Sequence, residues 1–323
     1  MIKTKVTEML GCKYPIIAGT MANISNPEFV ASVSNAGACA VLASANYQTP
    51  EELREAIRKT QSLTDQPFAV NINLFPAMMP QEKLVKYVEA TLDEGAKIIE
   101  TSGHKAPADL VPKFKEGGAI WIHKCAGVRY AITGASLGAD MITVVGYENG
   151  GATGTLDIGT LVMTPSVVDA INVPVIAGGG ITDGRGIAAV LALGAEGAIM
   201  GTRMMATKEC PLHDNLKLAF VQAKETDTHL VMRSIRNTHR VWRNKAAEKI
   251  IELESQKASL QEIIQVASGQ NALKMYKDGD IDAGMVSCGQ GVGLIKDIPT
   301  VKELLDRIMK EAEEVIQRLK KIS

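Results

Sequence analysis

Eight short apolar runs, each ending in glycine or a polar residue, constrain this chain more than any other feature. They are Ile16-Ile17-Ala18-Gly19, Cys39 to Ala43, Phe68 to Leu74, Ile98 to Ser102, Ile120 to Lys124, Met141 to Gly146, Val175 to Gly180 and Ala198 to Gly201. Their starts, from 16 to 198, recur every 26 residues on average, the length of a strand, a helix and two short loops. Apolar runs without alternation belong to parallel strands covered on both faces. Helix starts stand between them, with a cap, a first-turn proline and first-turn acid in Ser25-Asn26-Pro27-Glu28 and in Thr49-Pro50-Glu51-Glu52. Helices close on Gly37, Gly95, Gly117, Gly138 and Gly194. Neither half carries a GxGxxG after its first strand, so eight such units predict an α/β fold of the closed (β/α)8 TIM barrel type rather than a doubly wound sheet.

The rhythm stops after Arg203. From about Thr207 to Gly279 the sequence is polar and helical with no strand-like run, which predicts a mainly helical lid inserted after strand 8. A Gly-rich return follows at Gly284 to Gly293, then an amphipathic helix from Val301 to Lys321. The expected division is a barrel over 1–206, a lid or substrate domain over 207–283, and a return loop with C-terminal helix over 284–323. Leu304, Leu305, Ile308, Ala312, Val315 and Ile316 form one stripe of that helix, which predicts packing on the barrel; a partner-binding helix is the alternative.

Composition narrows the function. With 46% hydrophobic but only 4% aromatic residues, the core is aliphatic, which argues against long disorder and aromatic-rich all-β folds. Scattered charge, 35 basic against 36 acidic residues, offers no footprint for nucleic acid. No apolar run reaches the ~18 residues of a membrane span, and MIKTKVTEML lacks a signal-peptide stretch, so a cytoplasmic protein without membrane partners is expected. Cys12, Cys39, Cys125, Cys210 and Cys288 include no CxxC pair, which argues against a disulfide framework and a cysteine zinc site. His213, His229 and His239 lack HExxH spacing, so no catalytic metal is expected. Cys125 and Cys288 read as buried thiols without an activating histidine.

In a parallel barrel, chemistry sits at the carboxyl ends of the strands. The last two runs end in Ala177-Gly178-Gly179-Gly180-Ile181-Thr182-Asp183-Gly184 and in Met200-Gly201-Thr202-Arg203. Two adjacent glycine-rich strand ends leading into helices expose backbone N–H groups, which suits a phosphate. One such turn alone would read as a tight bend.

YPIIAGTMA, AVNINLF, GYENGGATG, AGGGITDGRG, MGTRMMATKEC and GDIDAGMVSCGQGVG occur in order along nearly the whole chain. In that order and spacing the chain resembles the nitronate monooxygenase (2-nitropropane dioxygenase) and enoyl-acyl-carrier-protein reductase II family. The resemblance implies an FMN-binding barrel with a lid, a homodimer, and NADH or NADPH as electron donor. It puts Ala18, Gly19, Thr20 and Met21 beside the isoalloxazine, Asn71 at its polar edge, and Gln290 over the ring. It puts Gly178, Gly180, Gly201 and Thr202 on the phosphate. Lys124, Glu148, Gly151, Ala177, Gly179 and Met200 complete the implied cofactor set.

One position departs from the pattern. Where the family usually has a histidine proposed as acid/base, this chain has Ala152, within Glu148-Asn149-Gly150-Gly151-Ala152-Thr153-Gly154. Alanine moves no proton, so the usual mechanism does not transfer intact. Lys124 and His104 are the candidate catalytic residues in its place, with Glu148 a third. Strand alternation lets only one of His123 and Lys124 point inward, and Lys124 is the expected one. The preferred activity is NAD(P)H-driven reduction of an activated C=C, an enoyl thioester, through flavin N5. The alternatives are oxidation of anionic alkyl nitronates by O2, and flavin binding without turnover.

Overall fold

The computed structural model describes residues 2–74, 81–103 and 105–322. Eight parallel strands close into a barrel: β1 (Ile16–Ala18), β2 (Cys39–Ala43), β3 (Phe68–Asn73), β4 (Ile98–Ser102), β5 (Ile120–Cys125), β6 (Met141–Val145), β8 (Val175–Gly178) and β9 (Gly197–Met200). Strand β7 (Gly151–Ala152) lies outside it, in the loop after β6. Closure is direct: β1 pairs with β9 through Ile16–Ala198, Ile17–Ile199 and Ala18–Met200. Each barrel strand matches one of the eight apolar runs, and the eight-unit barrel expected from their spacing is the fold observed.

Side-chain alternation splits the barrel residues into two cores. Ile17, Cys39, Val41, Ala69, Ile98, Ile122, Met141, Ile176 and Ile199 fill the inside. Val6, Leu10 and Cys12, from the helix Lys5–Leu10 and the turn after it, join the same cluster. Ile16, Ala40, Leu42, Val70, Ile99, Trp121, Ile142 and Val144 point the other way, under the surrounding helices. Those helices start as their sequences dictate. Asn26 caps Pro27–Asn35 by accepting from Phe29 N–H, and Thr49 caps Pro50–Leu63 by accepting from Glu52 N–H. Of the expected glycine stops, Gly117 itself stays right-handed, and the left-handed turn falls one residue later on Gly118.

The helix Val301–Lys320 lies along Gly184–Ala192, burying Leu304, Leu305, Ile308, Met309 and Ala312, as the apolar stripe predicts. Val315 and Ile316 are only half-buried.

The excursion after β9 corrects one expectation. It is mainly helical, with Asp214–Gln222, Lys245–Ser255, Leu260–Ala267 and Gly269–Asp278, yet it also contains β10 (Thr228–Val231) and β11 (His239–Trp242). These pair antiparallel, and β11 pairs in turn with β7. THLV and HRVW have no continuous apolar run, and their third partner is a two-residue strand far back in sequence, so local patterning does not announce them. A second small core of Val231, Met232, Val241, Ala247, Ile250 and Ile263 holds the pair against its helices.

Candidate functional site

Along the strand direction the barrel interior changes from apolar to polar. One step above Ala69, Ile98, Ile122 and Met141, the inward positions are Asn71, Glu100, Lys124 and Thr143. Asn71 is in register with Glu100 and Lys124 with Thr143, so adjacent strands carry these groups at the carboxyl end. Glu100 is fully buried and organises the layer. Its Oε1 accepts from Thr20 Oγ1 at 2.7 Å, Asn71 Nδ2 at 2.7 Å and Lys124 Nζ at 2.8 Å. Asn71 also donates to Ser102 Oγ at 3.1 Å. Three short donors, one of them the Lys124 amino group, thus converge on a single carboxylate oxygen. Glu100 Oε2 and Thr143 Oγ1 are buried without a partner among the described residues. Buried polar atoms are ordinarily satisfied, so two such atoms in one layer mark where a ligand or water fits.

His123 and Lys124 diverge as alternation requires. Lys124 points inward to Glu100, while His123 packs under the helices, its Nδ1 3.0 Å from Thr101 Oγ1. Burial pushes the His123 pKa down to about 4, so the ring is neutral at pH 7 and remote from the mouth. His104 lies outside the described residues.

The glycine-rich ends of β8 and β9 sit side by side. A Cβ on Gly178 would meet Ile199 Cγ2 at 2.4 Å, and Gly179 holds φ +106° against Thr160, so backbone alone fits there. Gly201 differs: a Cβ there would meet only Met21 Sδ, at 4.0 Å, so open space lies over it. Thr202 Oγ1 accepts from Gly289 N–H at 2.9 Å, which leaves its own hydroxyl proton for another acceptor. Gly19 N–H donates to Met200 C=O at 2.9 Å, which sets the segment from Ala18 to Met21 against the end of β9. Ala177 faces outward into the helix-side core and offers only backbone to the mouth.

Glu148 shapes a loop. Its carboxylate accepts Thr160 N–H at 2.8 Å and Thr160 Oγ1 at 2.9 Å, and its carbonyl accepts Gln290 N–H at 2.9 Å. With both oxygens turned to Thr160, it is poorly placed to act as a base. The return segment thereby sets half-buried Gln290 on the β6–β8 side of the mouth. Gly151 is paired with Arg240, whose guanidinium stacks on Tyr147 at 4.4 Å and donates to its carbonyl at 3.1 Å. Ala152 is exposed and paired with His239.

Cys125 and Cys288 are buried free thiols, and burial raises both pKa values, that of Cys125 to about 12. Neither is an activated nucleophile. Among the described residues no group of three His, Cys, Asp or Glu is placed to hold a metal, and no helix is long and apolar enough to cross a membrane.

Sequence reasoning missed Glu100. It sits inside the run Ile98 to Ser102, read as plain strand; the available signal was a charged residue at an inward position one step from the strand end.

A parallel barrel whose mouth combines a buried charged layer with glycine-rich ends on its last two strands defines an enzyme of the TIM-barrel class. Residues 3–311 match the profile of the nitronate monooxygenase family, and the chain belongs to that family of oxidoreductases. It is 32% identical to the (3aS,4S,5R,7aS)-5-hydroxy-7a-methyl-1-oxo-octahydro-1H-indene-4-carboxyl-CoA dehydrogenase of Rhodococcus jostii, with 98% of each chain covered. It is 35% identical to a probable nitronate monooxygenase of Staphylococcus saprophyticus, over 70% of this chain and 75% of the other. Among solved structures, FabK from Thermotoga maritima superposes with a TM-score of 0.93 at 32% identity, covering all of both chains. A nitroalkane oxidase from Streptomyces ansochromogenes shares the fold, with a TM-score of 0.84 at 23% identity, over 97% of this chain and 99% of the other.

Proposed function

We propose that this protein is an FMN-dependent oxidoreductase that reduces the activated C=C of an acyl thioester at the expense of NADH or NADPH. The observation that carries this reading is the open cradle over Gly201, beside the bare backbone of Gly178 and the donor hydroxyl of Thr202, across the mouth from the Glu100–Lys124 layer. The cradle suits a phosphate, and the layer's unpartnered Glu100 Oε2 and Thr143 Oγ1 suit a polar ring edge. FMN, when bound, supplies a hydride carrier at N5. Backbone N–H groups at Gly178, Gly180 and Gly201, with the Thr202 hydroxyl, hold its phosphate. Ala18 to Met21 bring backbone close to the ring, Asn71 addresses its polar edge, and Gln290 covers it from the return segment. Lys124 stabilises negative charge developing on the ring or the thioester oxygen. The segment 207–283 acts as the lid that selects the acyl group. Ala152 carries no acid, so the proton for the adjacent carbon comes from water or from His104.

A CoA thioester is favoured because the Rhodococcus relative, named for a carboxyl-CoA substrate, is matched end to end. Purified protein should be yellow, release one FMN per chain on denaturation by mass spectrometry, bleach on anaerobic mixing with NAD(P)H, and recolour with an enoyl-CoA. Flavin that neither nicotinamide bleaches would sink the reductase reading. Nitronate oxidation, supported by the staphylococcal relatives, would then show as O2 consumption with a preformed alkyl nitronate and no nicotinamide. The proposed assembly is a homodimer, to be checked by sedimentation equilibrium.

A further inference from the structure

We infer that Glu100 is a positioning residue whose charge cancels that of Lys124, so that the pair adjusts how readily a bound flavin accepts electrons. The inference rests on the flavin reading above. Lys124 does not face the mouth as a bare cation: its Nζ is 2.8 Å from Glu100 Oε1, and Glu100 is fully buried while the Lys124 side chain is 19% exposed. Thr20 and Asn71 converge on the same oxygen and fix the carboxylate where it stands. The mouth is therefore close to neutral toward an uncharged ligand.

Balance shifts when a ligand gains charge. A hydride brings two electrons and one proton, so its addition to a neutral ring leaves one net negative charge. Lys124 favours that charge and Glu100 opposes it, each strongly in a low-dielectric interior. Thr20, Asn71 and Ser102 are neutral, and no other charged group is hydrogen-bonded to the pair among the described residues. Deleting the two charges one at a time must then move the reduction potential in opposite directions. A purely structural role for Glu100 predicts no such sign pattern.

The test uses the FMN-loaded protein, titrated anaerobically with dithionite against a reference dye. It is run at one fixed pH, the same for wild type and every variant. Glu100→Gln should raise the flavin potential, Lys124→Gln should lower it, and the double variant should return close to wild type. Should Glu100→Gln fail to fold, the double variant compared with Lys124→Gln carries the test, since removing the Glu100 charge from the Lys124→Gln background should raise the potential, and no rise would overturn the inference. Equal shifts in both single variants, or no shift in either, would overturn the inference. Wild-type protein that takes up no flavin refutes the functional reading instead, before any variant is made.

Discussion

His123 and Lys124, adjacent in sequence, meet opposite environments because strand neighbours face opposite sides. His123 titrates near 6.5 when unfolded and about 4 when buried, so between those values only the unfolded chain takes up the proton. Its contribution to stability is complete above pH 6.5 and fades as pH falls toward 4, by about 3 kcal/mol in all. Urea melts at pH 7 and pH 4.5 should show most of that loss in the wild type and a smaller one in His123→Leu. At the other side of the mouth, Gly201→Asp would fill the open space beside Met21 with a negative charge. If a phosphate lies there, FMN affinity should fall on the order of 100-fold, a loss of about 3 kcal/mol by Coulomb repulsion at an intermediate dielectric. Equilibrium dialysis of FMN against both proteins checks it, and equal affinities would remove the phosphate from Gly201. How far a residue could be read from sequence depended on how local its partners are. Lys124 was legible because alternation with His123 is a property of one strand. Glu100 was not, because its partners come from three other segments, Asn71 and Lys124 from the neighbouring strands β3 and β5 and Thr20 from the loop after β1, which only the assembled barrel brings together.

Among the elements, the eight barrel strands were readable because burial on both faces leaves continuous apolar runs. The hairpin β10–β11 was not, since THLV and HRVW form neither a continuous apolar run nor a regular alternation, and its third partner is β7, on the far side of β8 and β9 in the chain. Contact between the C-terminal helix and Gly184–Ala192 depends on one missing side chain. A Cβ on Gly184 would lie 2.4 Å from both Ala312 N and Ile308 O, backbone atoms of the neighbouring helix. Gly184 N–H also donates to Glu311 Oε2 at 2.8 Å. Gly184→Ala should therefore force the two helices apart, costing about 2 kcal/mol as overpacking does. A lower urea midpoint with unchanged bound flavin is the expected result; an unchanged midpoint would mean that the interface gives way freely.

For the molecule as a whole, the barrel requires its last helix. Val301, Leu304, Leu305, Ile308, Met309 and Ala312 are all buried, and each large apolar side chain is worth roughly 1.5–3 kcal/mol. Their sum rivals the total stability of an ordinary domain. A chain ending at Thr300 should accumulate as aggregate, and a soluble product with native circular dichroism would refute this. The excursion that carries β10 and β11 is attached differently, because the chain leaves and rejoins the barrel at one point. Lys208 N–H donates to Pro299 C=O at 2.9 Å, Val301 N–H to Glu209 Oε2 at 2.9 Å, and the buried Arg203 guanidinium reaches Asp297 Oδ1 at 2.8 Å. With its ends already fastened together, the excursion adds almost no closure entropy of its own when its length changes. Evolution can therefore lengthen, shorten or rewrite this excursion while the eight strands keep one register, and under the reductase proposed above a single catalytic floor would then serve acyl groups of very different size.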